Sequence, residues 1–255
     1  TMQSTSFFYH YILKIPMYVY GDTISKKGTN LFIMNHRSSL DFLFFISLLT
    51  QCTDPEKTKI VLKSILKYVP GIGWITYAND FPLLNRSFTK DINYLKNIGT
   101  HEDEQNLLIF PEGTRYTIEK RESSNMFSKQ QGYPIFNNVL LPKSKGTYEI
   151  FKSLINNNSL NKIYDLTIKF EGIERRKAYT VFDLIFKNNV KAIHIHINEI
   201  SPYSIPTEEN NFRKWLHKIF VNKDILLDLD LKNWDLMYKK KKFTKKSNFI
   251  WFNLL

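Results

Sequence analysis

Two short apolar runs without a charged residue constrain the fold of this chain most, LFIM at 31–34 and LLIF at 107–110. A half-buried strand alternates apolar and polar side chains, whereas an unbroken run of this length is typical of a strand buried on both faces. Such strands occur mainly in parallel sheets whose two faces are covered by helices. A polar segment follows each run, NHRSSLD at 35–41 and PEGTR at 111–115. These two segments are the first candidates for a functional site.

Helical patterns separate the apolar runs. We predict helices over 39–51, 87–99 and 210–229, further strands over 14–22, 163–172 and 190–200, a strand and then a helix over 57–70, and a helix followed by a short strand over 127–143. A loop is expected between residues 143 and 160. Strands alternating with helices predict an α/β fold, with a mostly parallel central sheet and helices on both faces. The 255 residues suit a single domain, with its core over 14–230.

The formal net charge of +12 favours a polyanionic partner, which means nucleic acid, an anionic membrane surface or a phosphate-bearing substrate. No nucleic-acid motif interleaves the basic residues with aromatic side chains, so binding to nucleic acid is disfavoured. The single cysteine, Cys52, excludes an intramolecular disulfide and a cysteine-rich metal site, and it fits a reducing compartment.

Much of the basic excess lies near the end of the sequence, where residues 238–246 include six lysines and SNFIWFNLL follows at 247–255. One interpretation is a basic, aromatic, membrane-proximal segment over 231–255 that binds anionic lipid, and the other is a solvated tail. No run of 18 or more apolar residues occurs, so the sequence predicts no complete transmembrane helix.

The heptad NHRSSLD has two compatible interpretations. Ser38 and Asp41 fit a capping box, in which both side chains satisfy free amides at the start of a helix, and an isolated match favours this interpretation. Alternatively, Asp41 accepts from one ring nitrogen of His36 while the other nitrogen acts as a general base. The positive end of the helix dipole favours the neutral imidazole that a base requires. No G-x-S-x-G setting for a serine nucleophile occurs, which favours a mechanism without a covalent intermediate.

The segment IFPEGTR, at 109–115, favours the interpretation of His36 as a general base. It follows a buried strand, and in α/β folds the carboxyl ends of strands form the binding crevice. Pro111 and Gly113 predict a tight turn, Glu112 offers a carboxylate, and Arg115 offers a fork suited to phosphate.

Two further basic residues stand at similar positions. Arg86, in PLLNRSF at 82–88, comes just before a predicted helix, and Lys143 ends the apolar run VLLPK at 139–143. Either residue alone is weak support, since an arginine near a turn is usually solvated. Together with Arg115 they predict a phosphate-bearing ligand beside a histidine base.

In order and spacing, NHRSSLD, LLNR, IFPEGTR and VLLPK resemble the four motifs of the glycerolipid acyltransferase family, of which the first is NHxxxxD. The stretches KSILKYVPGIGW, LLIFPEGTRY, IYDLTIKFEG and IHIHINEISPYSIPT are most similar to the branch with lysocardiolipin and related lysophospholipid acyltransferases. The resemblance implies acyl transfer from acyl-CoA to a hydroxyl of a lysophospholipid, either lysophosphatidate or a lysocardiolipin-like lipid. It also implies an anionic membrane surface as partner, at the endoplasmic reticulum or the mitochondrial inner membrane, and no metal or redox cofactor.

The family motifs imply a role for each matching residue. His36 is the general base and Asp41 its partner, while Arg86 contacts the phosphate of the acceptor. The remaining residues of the implied substrate site are Glu112, Gly113, Thr114, Arg115 and Lys143. One departure is Asn85, which stands where the family often has an acidic residue or a histidine, so the second motif is the loosest match. The membrane helices that flank the family's core also have no complete counterpart.

Two other interpretations stay open. A membrane protein complex could contain this fold as a structural subunit, although intact His36, Asp41, Glu112 and Arg115 argue against loss of activity. A second histidine motif, HIH at 194–196, places two imidazoles on one face of a predicted strand, a spacing also seen in metal sites. The sequence offers no cysteine nearby and no obvious third ligand, so we predict no metal.

Overall fold

A mixed sheet of seven strands runs through the protein in a computed structural model, which describes residues 15–69, 72–85, 87–98, 103–172 and 190–243. The strands in chain order are β1 (Met17–Gly21), β2 (Thr29–Met34), β3 (Thr58–Ile60), β4 (Leu62–Lys63), β5 (Leu83–Leu84), β6 (Asn106–Ile109), β7 (Leu160–Glu171), β8 (Ala192–Ile200) and β9 (Lys240–Phe243). The spatial order of the large sheet is β3-β6-β2-β7-β8-β1-β9, and β4 and β5 form a separate parallel pair.

Four neighbouring strands, β3, β6, β2 and β7, run parallel, and β8 pairs antiparallel with β7 and parallel with β1. Ile33 of β2 lies opposite Ile109 of β6, so these two strands end side by side. The polar segments 35–41 and 111–115 therefore leave the sheet at the same edge.

Seven helices occur in the described part of the chain: α1 (Asp41–Cys52), α2 (Ile72–Ala78), α3 (Phe88–Asn97), α4 (Ile118–Gln131), α5 (Ser144–Asn156), α6 (Glu209–Asp228) and α7 (Leu231–Met237). Short 3-10 helices span Pro55–Lys57, Ser64–Tyr68 and Pro202–Ser204. None of the helices described is long and apolar enough to cross a membrane.

Strand β2 has no exposed face, as its unbroken apolar run predicts. Phe32 and Met34 point into one apolar cluster together with α1, while Leu31 and Ile33 point into a second cluster with α3, α5 and α6. Because successive side chains of a strand alternate between faces, the continuous run supplies both clusters at once. The predicted α/β fold with helices on both faces is confirmed.

Two predictions in the middle of the chain are wrong. The expected loop between 143 and 160 is mostly helix α5, whose buried Tyr148, Phe151 and Leu154 pack in one cluster with α6. Gly146 and the asparagine-rich end of this segment conceal its helical spacing in the sequence. The short strand expected within 127–143 is absent from this described segment, because the Leu140 amide donates to a Glu112 carboxylate oxygen rather than to a neighbouring strand.

Part of the expected membrane-proximal segment belongs to the sheet. Lys240–Phe243 forms the edge strand β9, antiparallel to β1, and α7 before it buries Trp234. The ammonium of Lys240 lies 3.0 Å from an Asp235 oxygen and 4.5 Å from the centre of the Tyr18 ring. Residues 244–255 lie outside the described part of the chain.

Candidate functional site

The side chains of His36 and Asp41 are in contact where β2 leads into α1. Nδ1 of His36 lies 2.9 Å from Oδ2 of Asp41, which is completely buried. The same oxygen accepts the backbone amides of Arg37 at 2.6 Å and Ser38 at 2.8 Å. Because the two amides fix this acceptor, the hydrogen of a neutral imidazole belongs on Nδ1 and the lone pair on Nε2.

The capping interpretation is half correct. Asp41 accepts the Ser38 amide, as the returning half of a capping box requires, but the Ser38 hydroxyl accepts the Leu40 amide at 3.1 Å. Helix α1 begins at Asp41 itself and has no side-chain cap at Leu40. The Asp41 carboxylate thus orders the turn before the helix and binds His36 with the same oxygen.

The His36 ring lies partly open to solvent, with 19% of its side chain exposed. One face packs against Phe110, with ring centres 4.4 Å apart. Within the described residues, Nε2 has no hydrogen-bond partner. An imidazole with one nitrogen fixed by a buried carboxylate and the other free can take a proton from a bound hydroxyl.

The buried side chain of Glu112 links the loop that contains His36 to the segment that contains Leu140. Its Oε1 accepts the His36 amide at 2.8 Å and its Oε2 accepts the Leu140 amide at 2.9 Å. The side chain is buried, and burial raises the pKa of Glu112 to about 8, although the two amides and Arg37 oppose this rise. Both oxygens are therefore engaged in fixing the loops, whereas the family motif implies that Glu112 contacts the ligand.

Gly113 forms the tight turn that the sequence predicts. Its φ is +67°, a conformation that residues with a Cβ rarely adopt, and its amide donates to the Phe110 carbonyl at 2.9 Å. A Cβ at this position would lie 3.5 Å from Cδ of Lys143, so the Lys143 side chain runs alongside the turn.

Basic side chains gather around this turn. Arg115 donates from Nη1 to the Ser39 hydroxyl at 2.7 Å, which connects the turn to the segment that carries His36. The ammonium of Lys120, in the first turn of α4, donates to the Thr114 hydroxyl at 2.8 Å. Sequence reasoning singled out Arg115, Thr114 and Lys143 but missed Lys120. Its position five residues after Arg115 at a helix start was the available signal.

Helix α6 contacts strands β2 and β7 through a lysine that sequence reasoning missed. The buried ammonium of Lys223 pairs with Asp165 of β7 and donates to the carbonyls of Ile33 at 3.3 Å and Leu166 at 2.5 Å. Burial lowers the pKa of Lys223 and raises that of Asp165, while their attraction opposes both changes. Lys223 follows the core residue Ile219 by one helical turn, and a charge at such a position was the signal in the sequence.

The neighbouring Asp224 holds the segment that leads to Leu140. Its Oδ1 accepts the amides of Asn138 at 2.6 Å and Asn137 at 3.0 Å. Arg37 in turn donates to the Asn138 carbonyl at 3.1 Å. Lys223 and Asp224 therefore fix the two strands and the loop on which the His36 turn rests.

Of the remaining predicted residues, one lies outside the described part of the chain and the others lie away from the His36 site. Arg86 lies outside the described residues, and Asn85 before it donates to Asp91 from its amide at 2.9 Å. His194 is buried, with Nδ1 2.9 Å from the Tyr20 hydroxyl and Nε2 3.1 Å from Glu171. Among the described residues, no group of three or more His, Cys, Asp or Glu side chains could hold a metal ion.

Comparison with known proteins gives two family matches. The model described as Acyltransferase matches residues 16–170, and the model described as Acyltransferase C-terminus matches residues 184–252. The residues of the four family motifs fall within the first match, and the HIH segment at 194–196 falls within the second.

Similar proteins include a "Probable 1-acyl-sn-glycerol-3-phosphate acyltransferase 5" of Arabidopsis thaliana, 32% identical over 87% of this chain and 59% of the relative. "Lysocardiolipin acyltransferase 1" of Gallus gallus is 30% identical over 81% of this chain and 55% of its own length. "1-acyl-sn-glycerol-3-phosphate acyltransferase epsilon" of Mus musculus is 29% identical over 87% of this chain and 63% of its own length. The chain thus spans a little over half the length of these relatives.

Proposed function

Because this chain belongs to the glycerolipid acyltransferase family, we propose that it moves a fatty acyl group from acyl-CoA to a free hydroxyl of a lysophospholipid. The resemblance drawn from the four motifs is confirmed by the family match over 16–170. The names of the relatives support lysophosphatidate and lysocardiolipin as acceptor classes. They give no support to a purely structural subunit.

The observation that carries the proposed chemistry is the 2.9 Å contact between His36 Nδ1 and Asp41 Oδ2, which leaves Nε2 open at the sheet edge. In the proposed step, Nε2 of His36 takes the proton of the acceptor hydroxyl as its oxygen attacks the thioester carbonyl of acyl-CoA. An ester C–O bond forms, the C–S bond breaks, and the proton passes from the imidazolium to the departing CoA thiolate. Asp41 stabilises the imidazolium between these transfers.

The basic residues around Gly113 suit the charge of both substrates. Arg115 and Lys143, with Lys120 close by, lie at the turn that adjoins the His36 segment. Guanidinium and ammonium groups bind phosphate oxygens, and lysophospholipids and CoA both carry phosphate. We assign the acceptor phosphate to Arg115 and Lys143, and to Arg86 by the family motif. Glu112 positions His36 through its backbone amide.

A direct test measures transfer of labelled acyl groups from acyl-CoA to a panel of lysophospholipids that includes lysophosphatidate and lysocardiolipin. We expect at least one acceptor to be esterified, and His36→Gln to lower the rate by about 10³-fold, since it removes a general base. His194→Gln is the matched control because both nitrogens of His194 are already engaged. Full activity of His36→Gln would contradict the mechanism, and a folded wild-type chain that acylates none of the acceptors would contradict the function.

A further inference from the structure

Four large apolar side chains lie exposed on two adjoining helices, the 3-10 helix Ser64–Tyr68 and helix α2. The exposed fractions are 61% for Ile65, 72% for Tyr68, 79% for Trp74 and 86% for Tyr77. We call these four residues the aromatic face. Exposed apolar side chains are common singly, but a contiguous group marks a surface that contacts something other than water.

The two helices that carry the aromatic face are in close contact with each other. The Gly73 amide donates to the Val69 carbonyl at 2.8 Å, and a Cβ on Gly73 would overlap the Lys67 carbonyl oxygen. The exposed side chains thus belong to one packed unit.

The opposite side of α2 packs against the body of the protein. Thr76 is buried, and Ile75 packs against the apolar cluster that also receives Phe110. The Phe110 ring in turn lies 4.4 Å from the His36 ring. The exposure of Trp74 and Tyr77 therefore reflects the amphipathic character of a docked helix, whose inner side packs against the same apolar cluster as Phe110.

Charge indicates what the aromatic face contacts. Residues 61–78 include two lysines, Lys63 and Lys67, and no acidic residue. The Lys67 ammonium lies 4.9 Å from the centre of the Tyr68 ring. Trp, Tyr and Lys side chains combine an apolar body with a polar end, and together they favour the headgroup region of a membrane over either water or hydrocarbon.

A second group of exposed apolar residues lacks this combination. Met126 and Phe127 are 65% and 50% exposed on α4, but neither side chain has the polar end that a Trp or Tyr presents to headgroups. Helix α4 also carries the carboxylates of Glu119 and Glu122 among its basic residues. Carboxylates are repelled by anionic headgroups, whereas residues 61–78 present lysines alone. The aromatic face is therefore the better match to an anionic lipid surface.

We propose that the aromatic face inserts into the interfacial region of an anionic bilayer and holds the His36 site beside its lipid. The choice of a lipid surface rests on the proposed function, in which the acceptor is a membrane phospholipid. Insertion of Trp74 and Tyr77 buries their rings among headgroups, while Lys67 contacts lipid phosphate.

Co-sedimentation of the full chain with equimolar phosphatidylcholine and phosphatidylglycerol vesicles tests this contact without any acyl donor. We expect Trp74→Ser/Tyr77→Ser to lower the vesicle partition coefficient at least about tenfold, because two interfacial anchors are lost. The matched control Met126→Ser/Phe127→Ser removes two exposed apolar side chains from α4 and should bind like the wild type. Equal partition of both double variants and the wild type would overturn the proposal, as would Trp74-dependent self-association without vesicle binding.

Activity of the Trp74→Ser/Tyr77→Ser variant separates this proposal from the proposed function. Transfer to a short-chain lysophospholipid dissolved as a monomer should continue at the wild-type rate, while transfer to an acceptor embedded in vesicles should fall with binding. Equal loss on both substrates would overturn a purely interfacial role. Vesicle binding through the aromatic face by a wild-type chain that acylates no acceptor would contradict the proposed function and leave the surface contact intact.

Discussion

Two of the histidines that the structure describes contact carboxylates, and the two pairs differ in which partner is buried. His36 contacts Asp41 at 2.9 Å, where the carboxylate is buried and the ring is partly exposed. His194 contacts Glu171 at 3.1 Å, where the ring is buried and 41% of the carboxylate side chain is exposed. The distances are similar, but the arrangement of burial is reversed.

A histidine–carboxylate contact becomes a base only if the second ring nitrogen is available. The Tyr20 hydroxyl lies 2.9 Å from Nδ1 of His194 and 3.0 Å from an Asp235 carboxylate oxygen. Both His194 nitrogens are therefore engaged, Nδ1 with Tyr20 of β1 and Nε2 with Glu171 of β7. At His36 the backbone fixes the carboxylate and leaves the outer nitrogen open, which is the arrangement that general-base chemistry requires.

The largest expected difference between the two histidine–carboxylate pairs is in kcat, when each carboxylate is replaced by an amide. Asp41→Asn removes the negative charge that stabilises an imidazolium, so kcat should fall about 10³-fold with little change in KM. Glu171→Gln is the matched change at the other histidine and should leave kcat within about threefold of the wild type. Initial rates with saturating acyl-CoA decide this, and similar losses at both positions would remove the functional distinction between the two pairs.

The second largest expected effect is on the free energy of unfolding, when the buried Lys223–Asp165 pair is broken. Lys223→Met leaves Asp165 buried without its partner and should lower the free energy of unfolding by about 3–5 kcal/mol. Lys223→Met/Asp165→Leu removes both charges and should recover most of that loss, since a buried ion pair is often replaceable by apolar residues.

Urea unfolding of both variants measures this effect, with Glu171→Gln as the comparison. Breaking the half-exposed pair of His194 should cost no more than about 1 kcal/mol. A loss for Lys223→Met no larger than that for Glu171→Gln would show that α6 does not anchor the strand ends.

The weakest effect is a pH dependence at His194. Burial lowers the pKa of His194 below the usual 6.5 even though Glu171 opposes this. The unfolded chain therefore binds a proton that the folded chain does not, and stability should decrease as the pH falls below about 6.5, by no more than about 1.4 kcal/mol per pH unit for one histidine. His194→Gln should reduce this slope in urea titrations from pH 7 to pH 5, and an unchanged slope would show that His194 does not titrate on unfolding.

The parts of the site that lie close together in sequence could be predicted from it. The NHRSSLD spacing places a carboxylate one turn from a histidine, and the apolar runs 31–34 and 107–110 identify parallel strands that end together. These predictions depend on local geometry and on the period of apolar residues, which a single sequence contains.

The parts that depend on distant contacts could not be predicted. Glu112 was expected to meet a ligand, because the sequence does not show that the amides of His36 and Leu140 lie on either side of it. Lys223 and Asp224 looked like the polar residues of an amphipathic helix, since their partners are separated from them by more than fifty residues. A charge is recognised as structural only once the fold shows what surrounds it.

The position of α6 late in the chain has a consequence for biosynthesis. Lys223 and Asp224 are made long after His36, Asp41 and the PEGT turn have left the ribosome, and they lie within the second family match, 184–252. A nascent chain released before α6 carries every motif residue but lacks the charges that fix β2, β7 and the 137–140 segment. Premature termination or proteolysis in this region is therefore expected to yield a product that retains the motif residues but lacks the charges that hold their strands and loop in place.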